Sequence, residues 1–321
     1  MFVPHSGCPH QCSFCDQREI TGQNSQPDCN DVKNTIENAI EYLGDDTVNS
    51  EIAFFGGSFT AINRDYMISL LEAAKPYISR FKGIRISTRP DYIDDEILIL
   101  LKKYNVTTIE LGAQSMNDEV LNVNKRGHNS DCIRNASRLI KEYGFNLGLQ
   151  MMTGLYKSDY ETDLYTAKEF IKLKPDCVRV YPTVIMKNTE LELLYNRGEY
   201  IPYNLDESVS LCSKIISLFN ENDIDVIRVG LHYSDSLKKN DVADNYHPAF
   251  KELCENRIFL DKIQSHLTNV NKKDVIVYVN QKSLSKAIGQ NKCNLNKLNQ
   301  LGYNITFKSD NSLDKYDILI K

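Results

Sequence analysis

Cys8-Pro-His-Gln-Cys12-Ser-Phe-Cys15 is the most informative stretch of the sequence, and it follows Phe2-Val3, the start of an expected first strand. Three thiols in a C-x3-C-x2-C loop can hold three irons of a cubane cluster, because thiolate is the ligand that iron–sulfur clusters use. Such a set leaves one iron without a protein donor, and an open metal position can chelate a small molecule. The alternative is a structural zinc site, with Cys29 or His10 as fourth ligand. Zinc sites usually show paired C-x2-C knuckles, and the second pair is missing here.

Outward from this loop, short β-branched or aromatic runs alternate with amphipathic stretches. The runs are Glu51–Phe55, Gly83–Ser87, Val106–Leu111, Asn146–Met151, Cys177–Tyr181 and Ile224–Val229. Between them, 3.6-residue spacing predicts helices over Val32–Leu43, Arg64–Phe81, Asp94–Lys103, Cys132–Tyr143, Tyr160–Leu173 and Leu205–Asn220. This alternation predicts βαβ units and a parallel sheet. Six or seven such units over residues 1–235 predict a partial (β/α)6-type, TIM-like barrel, with chemistry where the strands run out into their loops. Residues 236–270 read as a helical connector, with the punctuated pair His247-Pro248. From Asp274 the pattern changes to strand, two helices around Gly289 and short strands, which predicts a small α+β module over 271–321.

The chain has 321 residues, 41% of them apolar and 25% charged, with a formal net charge of −5. That composition supports a packed core and excludes disorder as the main state. An acidic balance argues against a protein that coats nucleic acid, which needs Lys and Arg to displace counterions. The sign is uneven: residues 261–321 hold ten Lys and five Asp with no Arg or Glu, so this end is basic and the body acidic. The nine cysteines are odd in number, and the last six, from Cys29 on, are scattered. No secretory signal or membrane-length apolar run is visible, so a reducing cytoplasm and no membrane partner are expected.

In order along the chain, several strings resemble the radical S-adenosylmethionine (radical SAM) superfamily, over roughly residues 1–235. They are the cysteine loop, with Phe14 before the third Cys, and Phe55-Gly-Gly-Ser58 at a strand end. The resemblance implies a 4Fe-4S cluster on Cys8, Cys12 and Cys15, with S-adenosylmethionine (SAM) on its open iron and Phe14 near the adenine. It places Gly56, Gly57 and Ser58 at the SAM amino group, although the family commonly has Glu where Ser58 stands. Gly56-Gly-Ser-Phe59, Ser87-Thr-Arg-Pro-Asp91, Glu110-Leu-Gly-Ala-Gln-Ser115, Arg126-Gly-His128, Gly148–Gly154 and Val180-Tyr-Pro-Thr183 are similar to strings of the Elongator catalytic subunit and its short bacterial relatives. The acetyltransferase domain of Elongator is not expected in so short a chain.

The implied chemistry is reductive cleavage of SAM to methionine and a 5′-deoxyadenosyl radical, which takes a hydrogen atom from substrate. Ser87 and Gln114 are candidate contacts to SAM, and Arg126 is a candidate partner of its carboxylate. Arg89, Gln150, Arg179 and Tyr181 complete the expected cofactor-binding set. Arg179 and Tyr181 alternate with Val180, so they share a face. An inward Arg must be paired, and SAM or substrate is the expected partner. Arg228, His232, Tyr233 and Asp235 follow the last barrel strand and are the substrate candidates, with Asp235 suited to the N–H edge of a purine-like base.

The C-terminal module resembles a KH-type fold. Gly289-Gln-Asn-Lys292 stands where KH domains have a GxxG loop for backbone phosphates, but Lys292 replaces the second Gly. The alternative is a degenerate fold used for packing or dimerisation, with a homodimer as its partner. Short Elongator-like proteins of anaerobic Firmicutes include queuine lyases, which free a 7-deazaguanine precursor for salvage. The weakened GxxG and acidic body favour a small base or nucleoside over tRNA, so a carbon–nitrogen lyase for a 7-deazapurine is expected, fed by a ferredoxin or flavodoxin. The rivals are a tRNA-modifying radical SAM enzyme and a non-catalytic, zinc-containing RNA-binding protein.

Overall fold

The computed structural model describes residues 1–3, 8, 11–15, 25–233, 235–268 and 272–321. They form two compact units. The first comprises Met1–Pro202 and Phe219–Tyr246, and the second Tyr203–Leu218 and His247–Lys321. The stretch 236–270 is therefore divided between them.

The first unit is built on seven strands, paired in chain order and all parallel. They are β1 (Phe2–Val3), β2 (Glu51–Gly56), β3 (Gly83–Thr88), β4 (Val106–Gln114), β5 (Asn146–Thr153), β6 (Cys177–Pro182) and β7 (Asp225–Val229). The sheet is curled into a half-barrel, as expected from the alternation. A single distance shows the curl. Arg85 on β3 brings its Nη1 to 3.4 Å from Cys177 Sγ on β6, whereas three strand spacings in a flat sheet would separate these strands by about 14 Å.

Period-2 alternation sorts the side chains. Phe54, Ile84, Ile86, Ile109, Leu111, Leu147, Leu149, Met151, Val178 and Val180 are fully buried. The intervening residues Glu51, Arg85, Ser87, Glu110, Gln150, Arg179 and Tyr181 share the concave face. Helices between the strands are α1 (Cys29–Leu43), α2 (Arg64–Ala74), α3 (Asp95–Lys103), α4 (Asp118–Val123), α5 (Ser130–Glu142), α6 (Tyr160–Leu173), α7 (Glu190–Asn196) and α8 (Leu205–Asn220), the last of which belongs to the second unit as far as Leu218, and α9 (Asp235–Asn240) follows β7. Asn63, Asp94, Asn117, Asn129 and Asp159 each cap one of them by accepting a backbone N–H two or three residues into the helix, which fixes where each strand-end loop stops.

The expected helix Arg64–Phe81 ends at Ala74 and continues as 3-10 turns over Lys75–Arg80. Pro76 has no N–H for the α-helical ladder, so the pitch changes there. Two short helices, α4 and α7, carry too few turns to show a period and were not expected.

The second unit contains α10 (Phe250–Leu267), β8 (Asp274–Val279), α11 (Leu284–Ile288), α12 (Cys293–Gln300), β9 (Asn304–Ser309) and β10 (Ile318–Ile320). Its sheet has the order β10-β8-β9, with β9 parallel and β10 antiparallel to β8. Buried Glu255 on α10 accepts Tyr316 Oη–H at 2.8 Å and pairs with Lys286 Nζ at 2.7 Å. No helix among the described residues is long and apolar enough to cross a membrane.

Candidate active site at the strand ends

The cysteine loop is anchored at its centre by Ser13. The Ser13 hydroxyl donates to Asn124 Oδ1 at 2.7 Å, its N–H donates to Asn124 O at 3.3 Å, and its carbonyl accepts the Leu191 N–H at 2.9 Å. Asn124, just after α4, is 0% exposed. Its Nδ2 donates to Val120 O at 2.8 Å and to Tyr156 O at 2.9 Å, so both N–H groups of the amide are used and its oxygen is engaged by Ser13. Phe14 packs beside Ile185, Leu191, Leu194 and Tyr200. Cys8, Cys12 and Cys15 form no disulfide. Burial and then Cys12 push the Cys8 thiol above its ordinary value, against the pull of Arg89 and Arg126, so all four groups are neighbours. Among the described residues, no three His, Cys, Asp or Glu side chains converge closely enough to grip a metal ion. His10 lies outside the described residues. Cys29 opens α1, and its thiol donates to Ser69 O at 3.5 Å.

Gly56 has φ +133, and a Cβ there would lie 2.6 Å from Val3 O. Gly57 N–H donates to the same carbonyl at 3.0 Å. This pair of glycines thus serves the close approach of β1 to β2. Ser58 departs from its expected role at the SAM amino group. Its side chain is 0% exposed, its hydroxyl pairs with Thr88 Oγ1 at 2.8 Å, and it accepts the Arg89 N–H at 3.2 Å. The hydroxyl is spent in stitching the β2 loop to the β3 loop. Arg89 is likewise spent within the protein: Asp91 holds it through two bonds of 2.9 Å, and its Nη2–H donates to Arg126 O.

Gln114 ends β4 at a bulge, with φ +69, a strained conformation for a side chain of this kind. Its Oε1 is buried with no hydrogen-bond partner. Arg126 is 6% exposed, and its Nε is also buried without a partner. Its other two nitrogens are committed: Nη1 to Cys12 Sγ at 3.0 Å and Nη2 to Gly112 O. Arg126 therefore does not present the two-pronged fork expected for a carboxylate. A Cβ on Gly112 would meet Gln114 Nε2 at 3.2 Å and Arg126 Nη2 at 3.6 Å, so the two orphaned side chains flank one point on β4. One orphaned acceptor and one orphaned donor, both buried beside the cysteine loop, fit a polar ligand such as SAM.

Deeper on the concave face lies a charge network that the sequence reading did not assign. Glu110 is 1% exposed and accepts from Arg179 Nε at 2.6 Å and Nη2 at 2.9 Å, from Arg85 Nη1 at 2.8 Å and from Gln150 Nε2 at 2.8 Å. Arg85 also bonds Glu51, and Gln150 reaches Ser87 Oγ at 3.4 Å. Arg179 was expected to pair with SAM or substrate; Glu110 takes that place. Burial pushes the Glu110 carboxyl up, but Arg179, Gln150 and Arg85 outweigh it and hold it below the usual carboxylate range. Gly148 makes the room, since a Cβ there would sit 2.6 Å from Glu110 Cγ. The signal was present in Glu110, a carboxylate at an inward position of a β-rich run.

Towards the ends of β6 and β7, Tyr181 lies close to Arg179 and Arg228, and burial pushes its phenol up. Arg228 Nε–H donates to Gly230 O at 2.9 Å. Burial and then Arg228 and Arg179 push His232 below its ordinary value, which places it in the same neighbourhood. Tyr233 is exposed, and its hydroxyl donates to Asp235 Oδ1 at 2.6 Å. Arg228 and His232 are thus gathered with Tyr181, while Tyr233 and Asp235 form an exposed pair.

The family model described as the Radical SAM superfamily matches residues 2–168, and that described as the Radical_SAM C-terminal domain matches residues 175–259. A tRNA uridine(34) acetyltransferase of Methanocaldococcus jannaschii is 32% identical over 196 residues, which are 54% of this chain and 36% of that protein. Elongator complex protein 3 of Homo sapiens is 29% identical over 201 residues, 56% of this chain and 37% of that protein. The chain thus aligns to little more than a third of the length of either relative. The archaeal Methanocaldococcus infernus Elp3 with an N-terminal deletion superposes with a TM-score of 0.60 at 26% identity, covering 73% of this chain and 58% of that one.

Proposed function

The chain belongs to the radical SAM superfamily, and from that premise we propose that it cleaves a modified 7-deazapurine base, queuine or its nucleoside, by a radical route. The family uses a 4Fe-4S cluster and SAM. Cys8, Cys12 and Cys15 would hold the cluster, and Gln114, with the free Nε of Arg126, would meet SAM. Phe14, Gly56, Gly57, Ser87, Gln150 and Tyr181 complete that binding region. When bound, the cluster supplies one electron that breaks a carbon–sulfur bond of SAM and yields a radical able to take hydrogen from substrate.

The chain's own contribution is placement and exclusion of water. The Ser13–Asn124 bonds fix the loop that carries the thiols. Glu51 and Glu110 balance Arg85 and Arg179 on the concave face, so these two buried-side guanidiniums are paired. Tyr181 and Arg228 lie together toward the ends of β6 and β7.

The observation that carries the base reading is the Tyr233–Asp235 pair. Its exposed carboxylate, held by a phenol directly after the last barrel strand, suits the N–H edge of a purine-like base. The Gly289–Lys292 loop supports a small substrate. A Cβ on Gly289 would lie 2.5 Å from Cys293 Sγ, and Lys292 N–H donates to Gly289 O at 2.9 Å. With the Asn256 amide turned to satisfy both of its ends, Gln290 N–H donates to it at 3.0 Å. These amides are spent within the module rather than turned toward a phosphate. A one-electron donor of the ferredoxin or flavodoxin class would complete the system, in a reducing compartment such as the cytoplasm.

A second reading is modification of a tRNA nucleoside. It is favoured by the relatives named for tRNA uridine(34) and by the Lys-rich residues 261–321. The test is anaerobic incubation of the reconstituted protein with SAM, a reductant and queuine. The base reading expects 5′-deoxyadenosine together with 7-aminomethyl-7-deazaguanine. SAM cleavage without that product from queuine or its nucleoside, but with a modified tRNA, would replace it with the second reading.

A further inference from the structure

Arg126 is held from every side, and its held position aims one N–H at a sulfur. Lys125 at φ +55 and Gly127 at φ +72 turn the backbone on both flanks. Arg126 N–H donates to Leu121 O at 3.0 Å, and its carbonyl accepts from Arg89, which Asp91 clamps. The guanidinium carbon stands 5.8 Å from the centre of the Phe14 ring. Nη2 donates to Gly112 O and lies 3.4 Å from His128 Nε2. That leaves Nη1 directed at Cys12 Sγ at 3.0 Å.

We propose that Arg126 is a positioning residue that donates a hydrogen bond to the Cys12 sulfur and thereby raises the reduction potential of the cluster. This rests on the reading that Cys12 ligates the cluster. An added electron increases the negative charge on the cluster and its sulfurs. A cationic N–H donor at a ligand sulfur stabilises that reduced form more than the oxidised form. The bond also consumes the nitrogen that a carboxylate-binding fork would need, so the inference displaces a role for Arg126 as the main partner of the SAM carboxylate.

The test uses the full chain, reconstituted anaerobically, with Arg126→Gln and Arg126→Lys variants. Iron and sulfide are counted first. Reduction is then followed by electron paramagnetic resonance against a set potential, without SAM, and SAM affinity is measured separately. The expected result is a full cluster in the variants and a more negative midpoint, with the Lys variant nearer the parent. If the Gln variant takes up no iron, the Lys variant is the one read. An unchanged midpoint in a variant with full iron overturns the inference, as does a tenfold or greater loss of SAM affinity with the midpoint unmoved. Loss of the cluster from both variants also overturns it, since Arg126 would then be needed for assembly. Absence of iron in the parent, or a full cluster in a Cys12→Ala variant, refutes the ligand reading instead, which separates the two failures.

Discussion

Glu110 on β4 holds Arg179 on β6 through two hydrogen bonds, 2.6 Å from Nε and 2.9 Å from Nη2, across the strand that lies between them. The same carboxylate takes Arg85 from β3, so one buried acid ties three strands across the concave face. Replacing it with Gln leaves two guanidiniums without their shared partner. Breaking a buried pair costs about 3–5 kcal/mol. The arginine side chains keep 18% and 24% exposure, so the loss for Glu110→Gln should fall at the low end of that range. Urea unfolding measures it, and an unchanged midpoint would disprove the role. Because the folded-state carboxyl is held below its unfolded value, its contribution is present above the unfolded pKa and is lost as pH falls through the folded one.

Gly148 should be intolerant of even one methyl group. Its Cβ would press to 2.6 Å from Glu110 Cγ and 3.3 Å from Cys177 Sγ. Overpacking of this kind costs about 1–3 kcal/mol. Gly148→Ala should cost measurably less in a Glu110→Ala background, where the opposing Cγ is gone, and a thermal-unfolding cycle reads the difference.

Asp163 predicts the opposite pH slope. Burial raises its carboxyl from 3.8 to about 7, although Ser158 and Gly154 bond to it at 2.6 and 2.7 Å and pull it down. A raised folded value means that the folded chain binds the extra proton. The contribution is therefore fully present below the unfolded value and is lost as pH rises through about 7. The thermal midpoint should decline over this interval, and Asp163→Asn should flatten the decline. An equal slope in the two proteins would count against it.

The Ser13–Asn124 contact predicts a coupled pair. Ser13→Ala and Asn124→Ala each orphan a buried polar group, at about 1–3 kcal/mol, and the double variant should lose less than the sum of the singles. Both should release iron to a chelator faster than the parent under anaerobic conditions. Strictly additive losses with normal iron retention would show that the contact does not position the loop.

Cys8→Ala, Cys12→Ala and Cys15→Ala should each abolish cluster uptake and 5′-deoxyadenosine formation. Cys29→Ala should leave both intact, because that thiol is engaged with Ser69 O between α1 and α2. Zinc bound by the parent and lost from the Cys29 variant would point instead to a structural metal.

The backbone was legible to a degree that the site was not. Cys177–Tyr181 and Gly83–Ser87 read as strands because β-branched residues recur at every second position, and both strands run only one residue further. Tyr160–Leu173 and Leu205–Asn220 appear with the expected bounds, each long enough to show its period. The side chains were harder. Arg179 was recognised as inward and needing a partner, yet nothing local names Glu110, which is 69 residues away and meets it only when the sheet curls. Ser58 and Arg89 stand at strand ends as a binding residue would. Their neighbours Thr88 and Asp91, however, capture them first. Asn124 carried no signal at all, because an Asn after a six-residue helix is an ordinary stop until Ser13 arrives from 111 residues away.

The staves of the half-barrel never meet: among the described residues, β1 pairs only with β2 and β7 only with β6. A closed ring would fix its own curvature through its strand number and stagger. This sheet is instead a strip with two outer edges, the two-residue β1 and the five-residue β7. Its curvature is therefore not set by ring closure, and contacts across the concave face, such as those that tie Arg85 and Arg179 to Glu110, hold the curve that a closing ladder would hold in a ring.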